Sequence, residues 1–434
     1  MKKNKKLVFL QLNEINFDLV FQYCKKYNFK NLNYLKNLKN IKTVSEEKYE
    51  LLEPWIQWLS AFTGKSAEDH KIFRLGDVNN NSKISFIFEK LEKNNVKVGC
   101  IAPMNTVNNL KEPAYFISDP WTKTKSDNSF WSTKISNLIS LLVNNNSSGK
   151  INIKDLIWLL IVCIKFTRFK NYYFITKIFI NSLKKRWYRA LLLDFLLNEI
   201  HVNYYFKYKP DFSSIFFNAG AHIQHHYLFF SEFNKSNIDE DMSWYVNRKY
   251  DPLLDLMKVY DRILNDYVKI NSNLIIATGL SQKALNNIVF YYRLKNHKDF
   301  LNLLGIKYQS VLPRMSRDFL VNFDNENDAK VAEYVFKNAT DLSKKITIFD
   351  EVDNRGKSLF ISLTYNKKIN EDMEIYINKK NIKIYNYVNF VAIKNGLHSG
   401  DGEIFIRGDI NTLIDTKTIN VKEIYNILDN YYNN

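Results

Sequence analysis

Short apolar runs alternate with helical patterns along much of this chain, and this alternation limits the possible folds more than any other feature. Several of the runs end in loop residues and are followed by a helical pattern. Strands that alternate with helices predict an α/β fold with a doubly wound, mostly parallel sheet sandwiched by helices. The predicted strands are LVFLQL (7–12), VKVGCIAP (96–103), IFFNAG (215–220) and LIIATG (274–279), and the predicted helices lie near 16–26, 83–94 and 250–268.

Two regions interrupt this alternation. Residues 125–208 are helix-rich and basic, whereas residues 305–387 combine strand patterns with one helical segment. The 434 residues provide enough chain for roughly two to three domains. We therefore predict an α/β core made of residues 1–124, 209–304 and 388–434, a basic helical insertion (125–208) and a small α+β insertion (305–387).

The chain carries an excess of positive charge, with 62 Lys and Arg against 45 Asp and Glu, a formal charge of +17. Such an excess favours anionic partners. An AT-rich coding sequence, which enriches Lys and Asn, would give the same charge without any function. The basic residues are scattered and no nucleic-acid-binding signature is present, so we predict no nucleic acid polymer as partner.

Cysteine usage and the N-terminus both favour the cytoplasm. The three cysteines (Cys24, Cys100 and Cys163) lie far apart and form no CxxC pair, which predicts neither a disulfide framework nor a cysteine zinc site. The N-terminal MKKNKK precedes an apolar run that is too short for a signal peptide. We interpret that run as the first buried strand.

One apolar run, DLIWLLIVCIK (155–165), could be part of a membrane-spanning helix, so its length is compared with that of such a helix. It has about half of the roughly 20 residues that cross a bilayer, and the sequence after it is aromatic and basic. A helical subdomain explains this pattern, and so does a helix lying on an anionic membrane surface. Peripheral membrane contact through residues 150–200 is therefore an alternative to a purely cytoplasmic location.

Histidines cluster directly after the third predicted strand, in AHIQHHYLFF. If a helix begins there, His222, His225 and His226 share one face, where neutral imidazoles can bind a divalent metal. A helix that only packs against aromatic side chains is the alternative. A fourth histidine, His398, lies in NGLHSGDGEIFIRG, where three glycines predict a tight loop before a buried strand.

Several segments, in this order, resemble the alkaline phosphatase-like metalloenzymes, and in particular their type I phosphodiesterase/nucleotide pyrophosphatase branch. The resemblance covers most of the chain outside the two predicted insertions. The segments are LVFLQLNEINFDLV, EPWIQWLSAFTGKSAEDHKIF, IFEKLEKNNVKVGCIAPMNT, IFFNAGAHIQHHYLFF, LIIATGLSQ and GLHSGDGEIFIRG. The resemblance implies two metal ions, usually zinc, and a Ser or Thr nucleophile that attacks a phosphoryl group.

The chain departs from that pattern at the positions that matter for chemistry. Two metal-ligand positions of the family are retained, as His225 and His398. The remaining positions carry other residues: Asn13 and Ala221 replace aspartates, Thr278-Gly279 replaces an Asp-His pair, and Glu53-Pro54 occupies the nucleophile position without a hydroxyl. Two ions bound in the family manner are therefore not expected.

The resemblance then implies a single divalent ion, zinc or else Mn²⁺ or Mg²⁺, on His225 and His398, with His222 or Glu53 as a third ligand. Binding of no ion is the alternative. Three protein ligands and one open position are typical of catalytic zinc, and an ion-activated water would replace the missing hydroxyl. Glu14 lies where the family has glycine. We predict catalytic roles for Glu53, Glu14 and Asn13, and substrate contacts for Gln57, Gln224 and Thr278.

These residues predict a divergent metal-dependent phosphoester or phosphodiester hydrolase, or a phosphotransferase. Its substrate would be anionic, such as a nucleotide sugar or a surface-glycan intermediate. The lost carboxylates favour a different interpretation, in which the chain is a catalytically inactive member of the superfamily that binds a phosphorylated ligand or a partner protein.

Overall fold

The structure, a computed structural model, describes residues 5–80, 84–145, 152–234, 242–314, 317–343 and 345–433. It divides the chain into two units. The first consists of Met1–Val143, Ile151–Ala284 and Gly396–Asn434, and the second consists mainly of Leu285–Asn395.

Strands and helices are numbered separately in chain order. The strands are β1 (Leu7–Leu12), β2 (Lys39–Val44), β3 (Val98–Ile101), β4 (Tyr115–Ile117), β5 (Phe212–Phe217), β6 (Asn273–Ala277), β7 (Ser281–Leu294), β8 (Ser310–Pro313), β9 (Asp318–Asn322), β10 (Thr340–Asp341), β11 (Glu351–Asn354), β12 (Ser358–Ser362), β13 (Glu374–Ile377), β14 (Lys380–Lys383), β15 (Val388–Ser399), β16 (Asp401–Arg407) and β17 (Thr418–Asn420). The helices are α1 (Phe17–Tyr27), α2 (Lys30–Tyr34), α3 (Pro54–Thr63), α4 (Ala67–His70), α5 (Ile87–Lys93), α6 (Phe130–Asn145), α7 (Ile153–Phe166), α8 (Tyr172–Lys184), α9 (Trp187–Tyr208), α10 (Ala219–Tyr227), α11 (Pro252–Lys269), α12 (His297–Leu303), α13 (Glu326–Lys337) and α14 (Ile424–Asn433).

The first unit contains an eight-stranded sheet in the order β17-β2-β16-β6-β1-β5-β3-β4. Every neighbouring pair in it is parallel except the two that involve β16. All six residues of β1 are buried, which explains its continuous apolar sequence, since a central parallel strand is covered on both faces. The predicted α/β fold class, with a mostly parallel sheet flanked by helices, is confirmed.

Helices α6 to α9 account for most of the region predicted as a helical insertion. No helix of the described part of the chain combines the length and the apolar character that a bilayer crossing requires. The domain boundaries stay a prediction.

The second unit has a four-stranded antiparallel sheet, β11-β12-β9-β8, and a three-stranded sheet, β10-β13-β14. Strands β7 and β15 pair in a further two-stranded sheet. The main segment of the second unit is Leu285–Asn395, and the insertion predicted from the sequence covers 305–387. Strand β7 (Ser281–Leu294), which includes the start of that segment, was not predicted.

The C-terminal ends of three central strands lie at the same edge of the main sheet, because β1 pairs in parallel with both β5 and β6. The backbone N–H of Asn13 donates to the carbonyl of Phe217 (3.1 Å), and that of Glu14 donates to Thr278 (3.0 Å). Helix α10 begins at Ala219, after β5 ends at Phe217 and before the end of the strand predicted over 215–220. The edge where α/β proteins usually place ligands therefore carries Asn13, Glu14 and the start of α10.

The predicted tight loop around His398 is wrong. His398 lies in β15, which ends at Ser399, and β16 begins at Asp401. The glycines at 396, 400 and 402 do not have positive φ angles. Two of them instead permit close approach, since a Cβ on Gly396 would lie 2.0 Å from Gln282 Oε1 and one on Gly402 would lie 2.5 Å from Thr43 Oγ1.

Candidate metal centre

Glu14 is a buried carboxylate in a backbone conformation that glutamate rarely adopts. Its φ angle is 60°, in the left-handed region that costs a non-glycine residue about 1 kcal/mol or more. Its side chain is 1% exposed. Such strain at the end of a central strand persists only where surrounding contacts fix it, and here it holds a charged group inside the protein.

Two imidazoles face the Glu14 carboxylate. Nε2 of His225, on α10, lies 3.0 Å from Glu14 Oε2, and Nε2 of His398, on β15, lies 3.2 Å from the same oxygen. The two Nε2 atoms are 3.1 Å apart. Burial alone would raise the pKa of the Glu14 carboxyl, but the charges and hydrogen bonds of His398 and His225 hold this pKa well below its usual range. The carboxylate is therefore ionised.

The three ligand atoms fit a single divalent cation. Within the described residues they form a group of one carboxylate and two histidines whose ligand atoms all lie within 4.8 Å of one another. Ligands about 2.0–2.1 Å from a tetrahedral zinc ion are roughly 3.3 Å apart, close to the separations of Glu14, His225 and His398. Two nitrogens and one oxygen are a common ligand set for zinc, and such a set also accepts Mn²⁺.

Glu53 lies at the edge of this group. It occupies the residue before α3, and its Oε2 is 3.8 Å from Nδ1 of His398. Its side chain is 32% exposed. Glu53 is thus a partly exposed carboxylate on the Nδ1 side of the His398 ring, whereas Nε2 of that ring faces Glu14.

Three hydrogen bonds hold the side chain of Asn13. Its amide oxygen accepts a hydrogen bond from the indole Nε1 of Trp58 (2.7 Å), and its amide nitrogen donates to Asn218 Oδ1 (2.9 Å) and to Glu14 Oε1 (3.1 Å). The side chain is fully buried. Asn13 therefore orients the Glu14 carboxylate, while its own oxygen accepts from Trp58.

His222 does not belong to the group of ligand atoms. Its ring packs beside His226, with 4.9 Å between the ring centroids. Burial, with a smaller effect of His225, lowers the pKa of His222 to about 4. His222 is thus a neutral ring on the same helix as His225.

The three residues predicted to contact substrate are buried. The Gln224 amide donates to the carbonyl of Glu14 (2.7 Å), and the Gln57 amide donates to the carbonyl of Leu51 (2.8 Å). Thr278 Oγ1 accepts from the N–H of Glu403 (2.9 Å). These bonds hold the loops around the candidate metal centre.

Sequence reasoning missed Gln282, which is fully buried at the start of β7. Its amide nitrogen donates to Glu14 Oε2 and to the carbonyl of Ala221. The only signal for it was its place within LIIATGLSQ, a segment of the family resemblance. Gln282 completes the set of contacts that fix the Glu14 carboxylate.

No protein-family model matches the sequence, and no curated protein matches it. The chain is similar to solved structures at low identity. One is a phosphonoacetate hydrolase from Sinorhizobium meliloti 1021, with 9% sequence identity and a TM-score of 0.42 over 99% of this chain and 96% of that chain. Another is human ectonucleotide pyrophosphatase/phosphodiesterase 5, with 9% identity and a TM-score of 0.39 over 99% of this chain and 95% of that chain. A third is alkaline phosphatase from the Antarctic bacterium TAB5, with 10% identity and a TM-score of 0.39 over 100% of this chain and 99% of that chain. The similar structures thus include members of the superfamily that the sequence motifs resemble.

Proposed function

We propose that this chain is a phosphoester hydrolase or phosphotransferase that uses one divalent cation held by Glu14, His225 and His398. The observation that carries the proposal is the convergence of these three ligand atoms, which come from three distant parts of the sequence. The motif resemblance supplies the reaction class. When bound, a divalent cation attracts the phosphoryl oxygens and stabilises the charge that develops on them during transfer.

The amide at position 13 argues for one bound ion rather than the two that the family resemblance implies. At the position of a family carboxylate it offers a neutral amide, whose oxygen is bound to the indole of Trp58. At a second family position, Thr278 binds the backbone of Glu403 instead. A second ion would therefore have to displace existing hydrogen bonds and bind neutral oxygens.

Glu53 would act as the proton acceptor. The family's nucleophile position holds Glu53 and Pro54, so no hydroxyl is available there and the attacking group is water or an alcohol of the substrate. Its oxygen forms the new bond to phosphorus as the bond to the leaving group breaks, and the leaving oxygen takes the electron pair of that bond and a proton from solvent. The proton of the attacking group passes to the carboxylate of Glu53, which is partly exposed and 3.8 Å from His398.

The substrate class follows from charge. A chain with a formal charge of +17 attracts anions, and a phosphoryl group is the anion that a zinc or manganese site would bind. Within this class we propose a nucleotide sugar or a glycan intermediate that carries a phosphoester.

The test combines metal content with turnover. Protein purified without chelator should contain one zinc or manganese ion per chain by inductively coupled plasma mass spectrometry. It should hydrolyse at least one member of a panel of phosphomonoesters, phosphodiesters, nucleotide sugars and phosphonoacetate. Glu14→Gln, His225→Ala and His398→Ala should lose both ion and turnover.

His226→Ala is the matched control, since His226 lies on the same helix as His225 but outside the ligand group. It should retain both the ion and the activity. His222→Ala distinguishes three ligands from four, and we expect it to retain the ion. Full activity in protein that is free of metal would contradict the proposal.

A binding protein without turnover is the second candidate function. The observation that favours it is the buried amide of Asn13, which Trp58 holds in place, because a neutral oxygen stands where the family's chemistry depends on a carboxylate. Bound metal, no turnover across the panel, and saturable binding of a phosphorylated ligand by calorimetry would establish this role instead.

A further inference from the structure

Helix α7 presents an apolar face to solvent. A surface helix usually turns its polar residues outward, but along α7 the outward positions recur every three or four residues and are aliphatic. Leu159, Val162 and Phe166, on the opposite side, are buried and attach the helix to the first unit. The exposed residues are Ile153, Leu156, Ile157, Leu160, Ile161 and Ile164.

The exposed apolar character continues beyond α7. Phe169 is 90% exposed and Tyr173 is 81% exposed. The hydroxyl of Tyr172 donates to the carbonyl of Ile164 (2.7 Å), so the start of α8 lies beside the end of α7. Ile180 and Leu183 on α8 are exposed as well. We call the exposed apolar residues of 153–183 the α7–α8 surface.

Positive charge accompanies this surface. Residues 152–189 contain nine Lys and Arg but only one acidic residue, Asp155. Lys154, Lys165, Lys177 and Lys184 are exposed. Arg168 is instead held by Glu199 and Asp266. Exposed lysines therefore lie within and beside the apolar residues, an arrangement typical of helices that bind membrane surfaces.

We propose that the α7–α8 surface docks on an anionic lipid bilayer, with α7 lying in the plane of the interface. At 14 residues, α7 is about 21 Å long, shorter than the roughly 30 Å of a bilayer's hydrocarbon core. A second copy of the chain would fit poorly, because it would bring two sets of lysines together. Anionic headgroups attract the lysines while the acyl boundary accepts the aliphatic side chains.

Vesicle sedimentation tests this proposal without reference to the proposed enzyme function, since the assay is run with chelator and no substrate. The full chain should pellet with vesicles of equimolar phosphatidylcholine and phosphatidylglycerol, less with phosphatidylcholine alone, and less as salt increases. The triple variant Ile157→Gln, Ile161→Gln, Ile164→Gln should bind at least about tenfold more weakly. Glutamine retains high helix propensity, and circular dichroism checks the fold.

The matched control is Val331→Gln with Tyr334→Gln. It removes two exposed apolar side chains from α13 in the second unit and should leave vesicle binding unchanged. Lys177→Gln with Lys184→Gln should weaken binding to the anionic vesicles by about fivefold for each lysine, with little change on phosphatidylcholine. This pair also tests the proposal if the triple variant fails to fold.

Two results would overturn the proposal. One is equal pelleting of the wild-type chain and the triple variant with anionic vesicles. The other is a wild-type dimer in sedimentation velocity that the triple variant converts to a monomer, with no vesicle binding by either protein. The second result would assign the α7–α8 surface to self-association.

Discussion

The Nε2 atoms of His225 and His398 lie 3.1 Å apart although the two residues are 173 positions apart in the sequence. Each Nε2 faces the Glu14 carboxylate, so each ring either donates an N–H to Oε2 or, as the other neutral tautomer, offers a lone pair to a cation between the three groups. A proton satisfies one pair of atoms, whereas a divalent cation satisfies both nitrogens and Glu14 together. The arrangement is thus suited to a cation that contacts all three groups at once.

Metal binding should stabilise the folded protein. An ion that binds only the folded state, at about 100 times its dissociation constant, adds about 2.7 kcal/mol to the free energy of unfolding. Zinc added to chelator-treated protein should raise the midpoint of thermal unfolding, and chelator should reverse the rise. His225→Ala and His398→Ala should not respond. A rise of equal size in both variants would show that zinc acts elsewhere.

Glu53→Gln should separate metal binding from catalysis. Glu53 is not among the three ligands that lie within 4.8 Å of one another, so the variant should retain its ion by mass spectrometry. Loss of a proton acceptor should lower kcat by about a hundredfold or more. Glu50→Gln, three residues earlier and exposed, is the matched control. Unchanged kcat in Glu53→Gln would assign the proton transfer to another group.

Part of this site was predictable from sequence and part was not. The apolar run of β1 and the place of His225 directly after β5 depend on local pattern and on the parallel sheet, and both are visible in the sequence. The bond between Gln282 and Glu14 depends on where β7 begins, and β7 was not predicted. Local pattern also cannot show that the oxygen of Asn13 turns to the indole of Trp58.

The Asn13→Asp variant tests why this position carries an amide. The new carboxylate would lie beside Glu14 and Asn218, whose oxygens now accept hydrogen bonds from the Asn13 amide. Replacing two donors by a buried like charge should lower the free energy of unfolding by about 2–4 kcal/mol without metal, measured by urea unfolding. Added zinc should recover part of the loss.

Asn33→Asp is the control for that substitution, since Asn33 is exposed on α2. It should change the free energy of unfolding by less than about 0.5 kcal/mol. An Asn13→Asp variant as stable as the wild type would mean that the buried site accepts a second carboxylate without a cation.

His201 should contribute to acid unfolding. It is fully buried between Tyr267 and Ser213, and burial lowers its pKa to about 3. The unfolded chain therefore binds the proton first, so stability falls as pH drops from about 6.5 towards 3, by at most about 1.4 kcal/mol per pH unit from this residue. In His201→Gln the number of protons linked to unfolding near pH 5 should decrease by about one.

Urea unfolding of the wild type and of His201→Gln is measured from pH 7 to acid in the presence of chelator. The difference between the two proteins in the slope of the unfolding free energy against pH gives the contribution of His201. His297, whose pKa burial lowers to about 4, retains its own contribution in the variant. Identical slopes in wild type and His201→Gln would mean that His201 is protonated equally in the folded and unfolded chain.

Gly396→Ala should disturb the candidate metal centre without touching a ligand. A Cβ at this position would lie 2.0 Å from Gln282 Oε1 and 2.9 Å from the carbonyl of Gln224, so Gln282 must move and its hydrogen bond to Glu14 is lost. We expect about tenfold weaker zinc binding by competitive titration with a chelating dye. Gly400→Ala is the matched control, because its Cβ would meet Leu52 at an ordinary 3.4 Å and zinc affinity should stay unchanged. Equal affinity in both variants would show that Gln282 does not position the Glu14 carboxylate.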